Sequence, residues 1–355
     1  MAHGGLWGTN TQVGKNDLIN NQKQANMNKP EISVIIPYHN EGLDFISATI
    51  NSIKDTIDVS YEIIVVDDCS EKALGSISGA WEDLPGITIL RHRKPKGVGQ
   101  AFDTGVKKAK AENLFLMGSD IRFIPNNWAS KMIEEIDNHP KAISCTTCVG
   151  LNSETEEGMD MNVRRHRSRR NGARILIFHD NISHPKKPKN FRSILEAQWL
   201  PVYKGESKES FEIPCVLGAA YGIKKEWYDY IDGWWGHRSW GTLEPMISLK
   251  SWFFGGSCRT TPDIETGHIF KRRGTHATPF HHLMYNKLLT AMLLFDEHNS
   301  SRMIEFLGRN PNVDGGKKMF GDMRRKVEAK RKEYAKKIVI SPEEWCKTWN
   351  HDFRQ

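Results

Sequence analysis

The feature that most constrains this chain is an alternation of short apolar runs and helical stretches between Glu31 and Val149. Glu31–Pro37 (EISVIIP) is an apolar run that stops at a proline, which reads as a strand buried on both faces. Tyr61–Val66, Ile87–Leu90, Asn113–Met117 and Ala142–Val149 read as further strands, and Leu43–Ile53, Val98–Lys110 and Trp128–Asn138 carry apolar residues at helical spacing. Strands and helices alternating at these lengths predict an α/β fold, a Rossmann-like, mostly parallel sheet with helices on both faces. Ligands of such sheets bind off the carboxyl ends of the strands. The polar residues that follow the first, second and fourth strands are therefore expected in one crevice. They are Tyr38-His39-Asn40-Glu41, Asp67-Asp68 and Ser119-Asp120.

The alternation stops at Gly150. Residues 150–210 are acidic, then strongly basic, then rich in Pro and Lys, and read as a long, partly mobile insertion at the rim of the site. Order resumes at Phe211–Ile223, followed by a helix over Lys225–Tyr230, a Gly/Trp-rich loop over Gly233–Gly241 and a helix near Pro245–Phe253. Asp263–Phe270 reads as a strand ending in Lys271-Arg272-Arg273. The rest is helical, and Ser341, Pro342 and Glu344 spell a capping box with proline at the first helical position. The expected organisation is an arm over residues 1–29, an α/β domain over 30–310 and a helical extension over 311–355.

Composition narrows the class. With 355 residues, 38% of them hydrophobic, there is ample material for a core, and no apolar run reaches the roughly 18 residues of a membrane span. Met1–Lys29 is polar and lacks the apolar centre of a signal peptide, so a cytosolic location is expected. The six cysteines are scattered, and Cys145-Thr-Thr-Cys148 has no second pair, so a disulfide framework and a zinc site are not expected. The net charge of +7 is clustered in Arg164–Arg170, His184–Lys189 and Lys317–Lys337. Together these could face a polyanion; for each alone, a solvated face explains it as well.

The motifs carry a resemblance. Ser33–Glu41 (SVIIPYHNE) and Glu62–Ser70 (EIIVVDDCS) resemble the first two strands of the GT-A glycosyltransferases that include cellulose, chitin and dolichol-phosphate-mannose synthases. Lys96-Gly97-Val98-Gly99-Gln100-Ala101 is similar to a helix start of the last group. Leu116–Asp120 stands where that family has Asp-x-Asp, with Gly118 in place of the first Asp. Downstream, Gly218–Ile223, Trp240–Glu244 and Glu265–Arg273 (ETGHIFKRR) resemble segments of the polypeptide N-acetylgalactosaminyltransferases, with Glu244 one position late.

The resemblance implies a GT-A fold and a UDP-sugar donor. Pro37, Tyr38 and Glu41 would flank the nucleotide, and Asp68 would accept the uracil N3–H. Asp120 and His268 would hold Mn2+ or Mg2+ on the diphosphate, with Asp120 indispensable to catalysis. Gly218 and Ala219 would let the donor sugar approach, and the Trp234–Trp240 loop would face sugar and acceptor. Glu244 would hold the sugar, orient the acceptor or act as a base. From the residues themselves, Gly97 and Gly99 leave N–H groups at a helix start, a place suited to phosphate. The function expected is glycosyl transfer to a hydroxyl of a macromolecular acceptor, with a hydroxylated base in DNA among the candidates beside protein and glycan. The alternative is a non-catalytic nucleic-acid-binding protein on a degenerate GT-A fold. The sugar, the stereochemistry and the oligomeric state are not legible.

Overall fold

The computed structural model describes residues 29–74, 86–123, 126–151, 165–181, 191–201, 208–269, 279–308, 310 and 313–349. Its strands are β1 (Ile32–Tyr38), β2 (Tyr61–Asp67), β3 (Ile87–Arg91), β4 (Asn113–Met117), β5 (Ile121–Phe123), β6 (Ala142–Leu151), β7 (Arg165–Asn181), β8 (Phe191–Pro201), β9 (Phe211–Glu212), β10 (Ala220–Lys224) and β11 (Ser257–Ile269). Its helices are α1 (Leu43–Thr56), α2 (Val98–Lys108), α3 (Trp128–Asn138), α4 (Lys225–Tyr230), α5 (Leu243–Phe253), α6 (Phe280–Leu294), α7 (Glu297–Gly308), α8 (Val313–Ala335) and α9 (Pro342–Thr348).

β1 is buried along its whole length, as its run of branched residues requires, and lies between β2 and β4 in parallel register. The sheet order is β3-β2-β1-β4-β10-β6-β11-β5. β1–β4 form the expected parallel half. The other half is mixed: β10 runs antiparallel to both β4 and β6, and β11 runs parallel to β6 and antiparallel to β5. Two adjacent strand ends, Tyr38 on β1 and Asp67 on β2, meet in register at the carboxyl edge. That edge is the crevice the alternation predicts.

Within 150–210, the described residues include two long strands rather than only a rim loop. β7 continues the sheet beside the C-terminal half of β6, and β8 pairs antiparallel with β7. The cause is a period-2 stretch in which Ala173, Ile175 and Ile177 are buried while Arg174 is exposed. Of the Arg164–Arg170 block, Arg169 pairs with Glu265 on β11 and Arg170 is partly buried. Arg164, the His184–Lys189 block and Phe270–Arg273 lie outside the described residues.

The helical C-terminus is not set apart from the domain. α8 buries Val327 and Tyr334, and its Met319 and Met323 line the crevice. The capping box at α9 forms as read, with the Ser341 side chain accepting from Glu344 N–H and the Glu344 carboxylate accepting from Ser341 N–H. Cys145 and Cys148 are buried thiols on β6, and burial pushes them up to about 11 and about 12 respectively. All six cysteines are free.

Candidate active site

A crevice of about 960 Å³ opens at the carboxyl edge of the parallel strands. Pro37, Tyr38, Glu41, Asp68, Gly97, Gly118, Asp120, Gly218, Glu244 and His268 all line it, so residues chosen from distant segments do converge. Gly99 and Ala219 do not line it. The volume is at the upper end of the range typical of small-molecule sites.

The first wall is the turn after β1. His39 Nδ1 lies 2.8 Å from the Asp68 carbonyl oxygen, and the Glu41 carboxylate accepts from the His39 N–H, so Glu41 is folded onto its own turn. Asp67 and Asp68 divide their work. Asp67 is fully buried and accepts from Ser70 N–H, Leu74 N–H and the Arg91 guanidinium. Burial alone would raise its carboxyl; the Leu74 and Ser70 donors and Arg91 outweigh this and hold it below the usual range.

Asp68 faces the crevice, but its carboxylate is already engaged. Lys96 N–H reaches Oδ1 at 2.8 Å, Gly97 N–H reaches Oδ2 at 2.6 Å, and His92 Nδ1 lies 2.6 Å from Oδ1. The lone pairs that would receive a uracil N3–H are largely spent on building the 92–97 wall. The Gly97 N–H is likewise unavailable to phosphate, which corrects the anion-site reading of this helix start. Gly97 has φ 100°, and a Cβ there would fall 2.2 Å from the Ser239 backbone nitrogen. Gly99 is a packing residue, because a Cβ there would fall 2.7 Å from Trp234 Cβ.

Asp120 and His268 meet because of sheet register. Asp120 ends the turn after β4, and β5 pairs antiparallel with β11 so that His268 stands opposite Ile121. Ile269 N–H donates to the Asp120 carbonyl, and His268 Nε2 lies 3.6 Å from Asp120 Oδ1. Two ligands at that separation can each stand about 2 Å from one cation. Gly118 belongs to the same turn: a Cβ there would sit 2.9 Å from Asp120 Oδ1. Among the described residues no third His, Cys, Asp or Glu joins them as a metal ligand.

The opposite wall holds Glu244, in the first turn of α5. Burial and the nearby Glu196 raise its carboxyl above the usual range. Its Oε1 occupies the space a Cβ on Gly218 would need, at 1.8 Å. Gly218 thus admits Glu244 to the crevice, while Ala219 is buried and accepts from Gly118 N–H.

Residues 33–191 match the family described as Glycosyl transferase family 2. The polypeptide N-acetylgalactosaminyltransferase 11 of Xenopus tropicalis is 22% identical over 85% of this chain and 48% of its own length. Polypeptide N-acetylgalactosaminyltransferase 10 of Homo sapiens is 24% identical over 73% of this chain and 41% of its own length. The chain thus spans about half the length, or less, of these curated relatives. The crystal structure of GalNAc-T7 with UDP, GalNAc and Mn2+ aligns with a TM-score of 0.65 at 19% identity, covering 90% of this chain and 56% of that one. The chain has a GT-A fold, and its residues 33–191 are similar to glycosyl transferase family 2. The similarity to the polypeptide N-acetylgalactosaminyltransferases runs over most of the chain.

The GT-A crevice also contains residues the motifs did not single out. Arg238, His282, Tyr285, Met319, Asp322 and Met323 come from the loop before α5, from α6 and from α8. Within the Gly/Trp-rich loop the tryptophans part company. Trp234 is fully buried, stacks on Phe102 and donates its indole N–H to the Leu243 carbonyl, so it faces neither sugar nor acceptor. Trp240 is 53% exposed and lines the crevice. Asn286 on α6, fully buried, fixes this loop: it accepts from Arg238 N–H at 2.9 Å and donates to the carbonyls of Arg238 and Gly241. His237 adds a bond from Nε2 to the Gly241 carbonyl at 2.7 Å. At the loop's tip, Ser239 pairs with the 96–98 segment, accepting from Val98 N–H. A buried asparagine in an apolar helix is the one sequence signal that could have pointed to this clamp.

Proposed function

We propose that the chain is a metal-dependent glycosyltransferase that moves a sugar from a UDP-sugar to an acceptor hydroxyl. The observation that carries this reading is the pairing of Asp120 with His268, 3.6 Å apart, in the crevice that Asp68 and Tyr38 also line. A carboxylate oxygen beside an imidazole nitrogen is a donor set suited to a divalent cation such as Mn2+, and Gly118 leaves room around Asp120. A cation bound there would neutralise charge on the departing diphosphate. The relatives' names and the UDP and Mn2+ of the GalNAc-T7 structure support the same donor class.

Each residue then has a task. Tyr38 and the Asp68-anchored Lys96–Gly97 segment shape the nucleotide end. Glu244, with its raised carboxyl, stands at the sugar end as the base. The acceptor oxygen forms the new glycosidic bond as the bond from the anomeric carbon to the diphosphate breaks. UDP leaves with the electron pair, and the hydroxyl proton passes to Glu244. A hydroxylated base in DNA loses ground as the acceptor, because Arg169 in the basic block is spent on Glu265.

Calorimetry with UDP tests the core of the proposal. Mn2+ should tighten UDP binding to the wild type, and Asp120→Ala and His268→Ala should each remove about tenfold or more of that gain. Equal UDP affinity with Mn2+ and with chelator would sink the metal assignment, and tighter binding of GDP than of UDP would sink the uridine one.

A further inference from the structure

Behind the Trp240 loop lies a second cavity of about 360 Å³. α2, the Tyr228–Arg238 segment and α8 enclose it. It shares Arg238 and Met323 with the crevice, so the two volumes lie on either side of one wall. Nothing in the glycosyl-transfer reading above uses it.

Its lining restricts what it can hold. Asp229 and Asp232 each commit only one carboxylate oxygen to the protein. Lys225 takes Asp229 Oδ2 at 2.8 Å, and Tyr334 and Lys330 take Asp232 Oδ2, each at 3.0 Å. The Oδ1 atoms of both have no partner among the described residues, and Lys107 and Lys326 have no ion pair there. Asp103 is satisfied by the Tyr228 hydroxyl and the Trp234 N–H. Trp235 supplies a partly exposed indole, with Lys330 lying over its ring at 5.3 Å.

Acids and bases alternate around this cavity, so neither an anion nor a cation finds a field of one sign. An apolar ligand would strand the free carboxylate oxygens and ammonium groups. A neutral ligand rich in hydroxyls meets all of these conditions, because its O–H groups donate to Asp229 and Asp232 and accept from the lysines. Its C–H surface suits the indole.

We propose that this side cavity holds the distal sugar of a glycan acceptor, whose reacting hydroxyl reaches past Arg238 into the crevice. The proposal rests on the glycosyltransferase reading and names the acceptor class for it. Trp240 and Trp235, on opposite flanks of Arg238, then mark the two ends of the acceptor's path.

Saturation-transfer NMR on the full chain, with UDP and Mn2+ present, tests it with maltose, cellobiose, lactose and N,N′-diacetylchitobiose as probes. At least one disaccharide should bind. Trp235→Ala and the conservative Asp229→Asn should each weaken that binding about fivefold or more while UDP affinity stays as in the wild type. Asp229→Asn guards against a Trp235 variant that merely misfolds. Absence of binding by all four probes, or binding untouched by both substitutions, would overturn the proposal. Disaccharide binding that responds to both variants in a chain that fails to bind UDP would overturn the glycosyltransferase reading, and the acceptor role with it, and leave a saccharide site standing.

Discussion

Asn286 spends its whole side chain on the backbone of the loop that carries Arg238, Ser239 and Trp240. Alanine there would leave buried N–H and C=O groups without partners, at about 1–3 kcal/mol for each group that water cannot reach. Urea denaturation of Asn286→Ala should show a loss of about 2–4 kcal/mol. On the proposed reading, in which this loop borders the acceptor, the acceptor KM should rise more than the UDP Kd. His237 gives a pH dependence. Burial holds its imidazole down to about 4 from 6.5, so between those values the unfolded chain binds the extra proton. Stability contributed by His237 is present above 6.5 and is lost as pH falls toward 4, on the order of 3 kcal/mol in all. Unfolding free energies measured across that window should fall less steeply for His237→Gln than for the wild type; parallel curves would reject the assignment. At this scale the meeting of Asp120 and His268 in one crevice was legible from their motifs, because each stands in a strand-end segment with its own signature. The engagement of Asp68 by His92, Lys96 and Gly97 was not legible, because a residue's unspent lone pairs depend on neighbours that only the fold supplies.

Among the elements, β1, β2, β4 and α2 were legible within a residue or two because both period and punctuation agree. β7 was not. Its Ala173–Ile177 alternation is genuine, but an arginine block precedes it and a Pro/Lys tract follows, and those drew the reading toward a loop. Tertiary pairing with β6 and the Arg169–Glu265 ion pair give the strand its place. The junction of α2 with the Trp240 loop carries a sharper prediction. Gly97 needs its positive φ and its missing Cβ at once, because the Ser239 backbone fills the space. Gly97→Ala should therefore lower the melting temperature and weaken UDP binding about tenfold, by displacing the segment Asp68 holds. An alanine variant that melts and binds like the wild type would show that the two segments yield to each other freely.

On the scale of the molecule, the C-terminal helices complete the site. Val327 is fully buried where α8 packs on the domain, and the same helix brings Met319, Asp322 and Met323 to the crevice. Val327→Asp places a charge in that seam and should cost about 3 kcal/mol or more, read as a lowered denaturation midpoint with weaker acceptor binding. A boundary at residue 310 was a fair reading of sequence alone, since α8 is strongly charged; its narrow apolar stripe of Met319, Met323 and Val327 gains meaning only against α6. Gly218 and Glu244 form a last dependency, between residues 26 positions apart. The carboxylate lies where any side chain at 218 would have to begin, so 218 is not free to grow while 244 keeps its glutamate. Across descendants of this sequence, a larger residue at 218 should appear only in lineages where 244 has already become smaller. The pair would then be inherited as a unit, and its history would be readable as covariation.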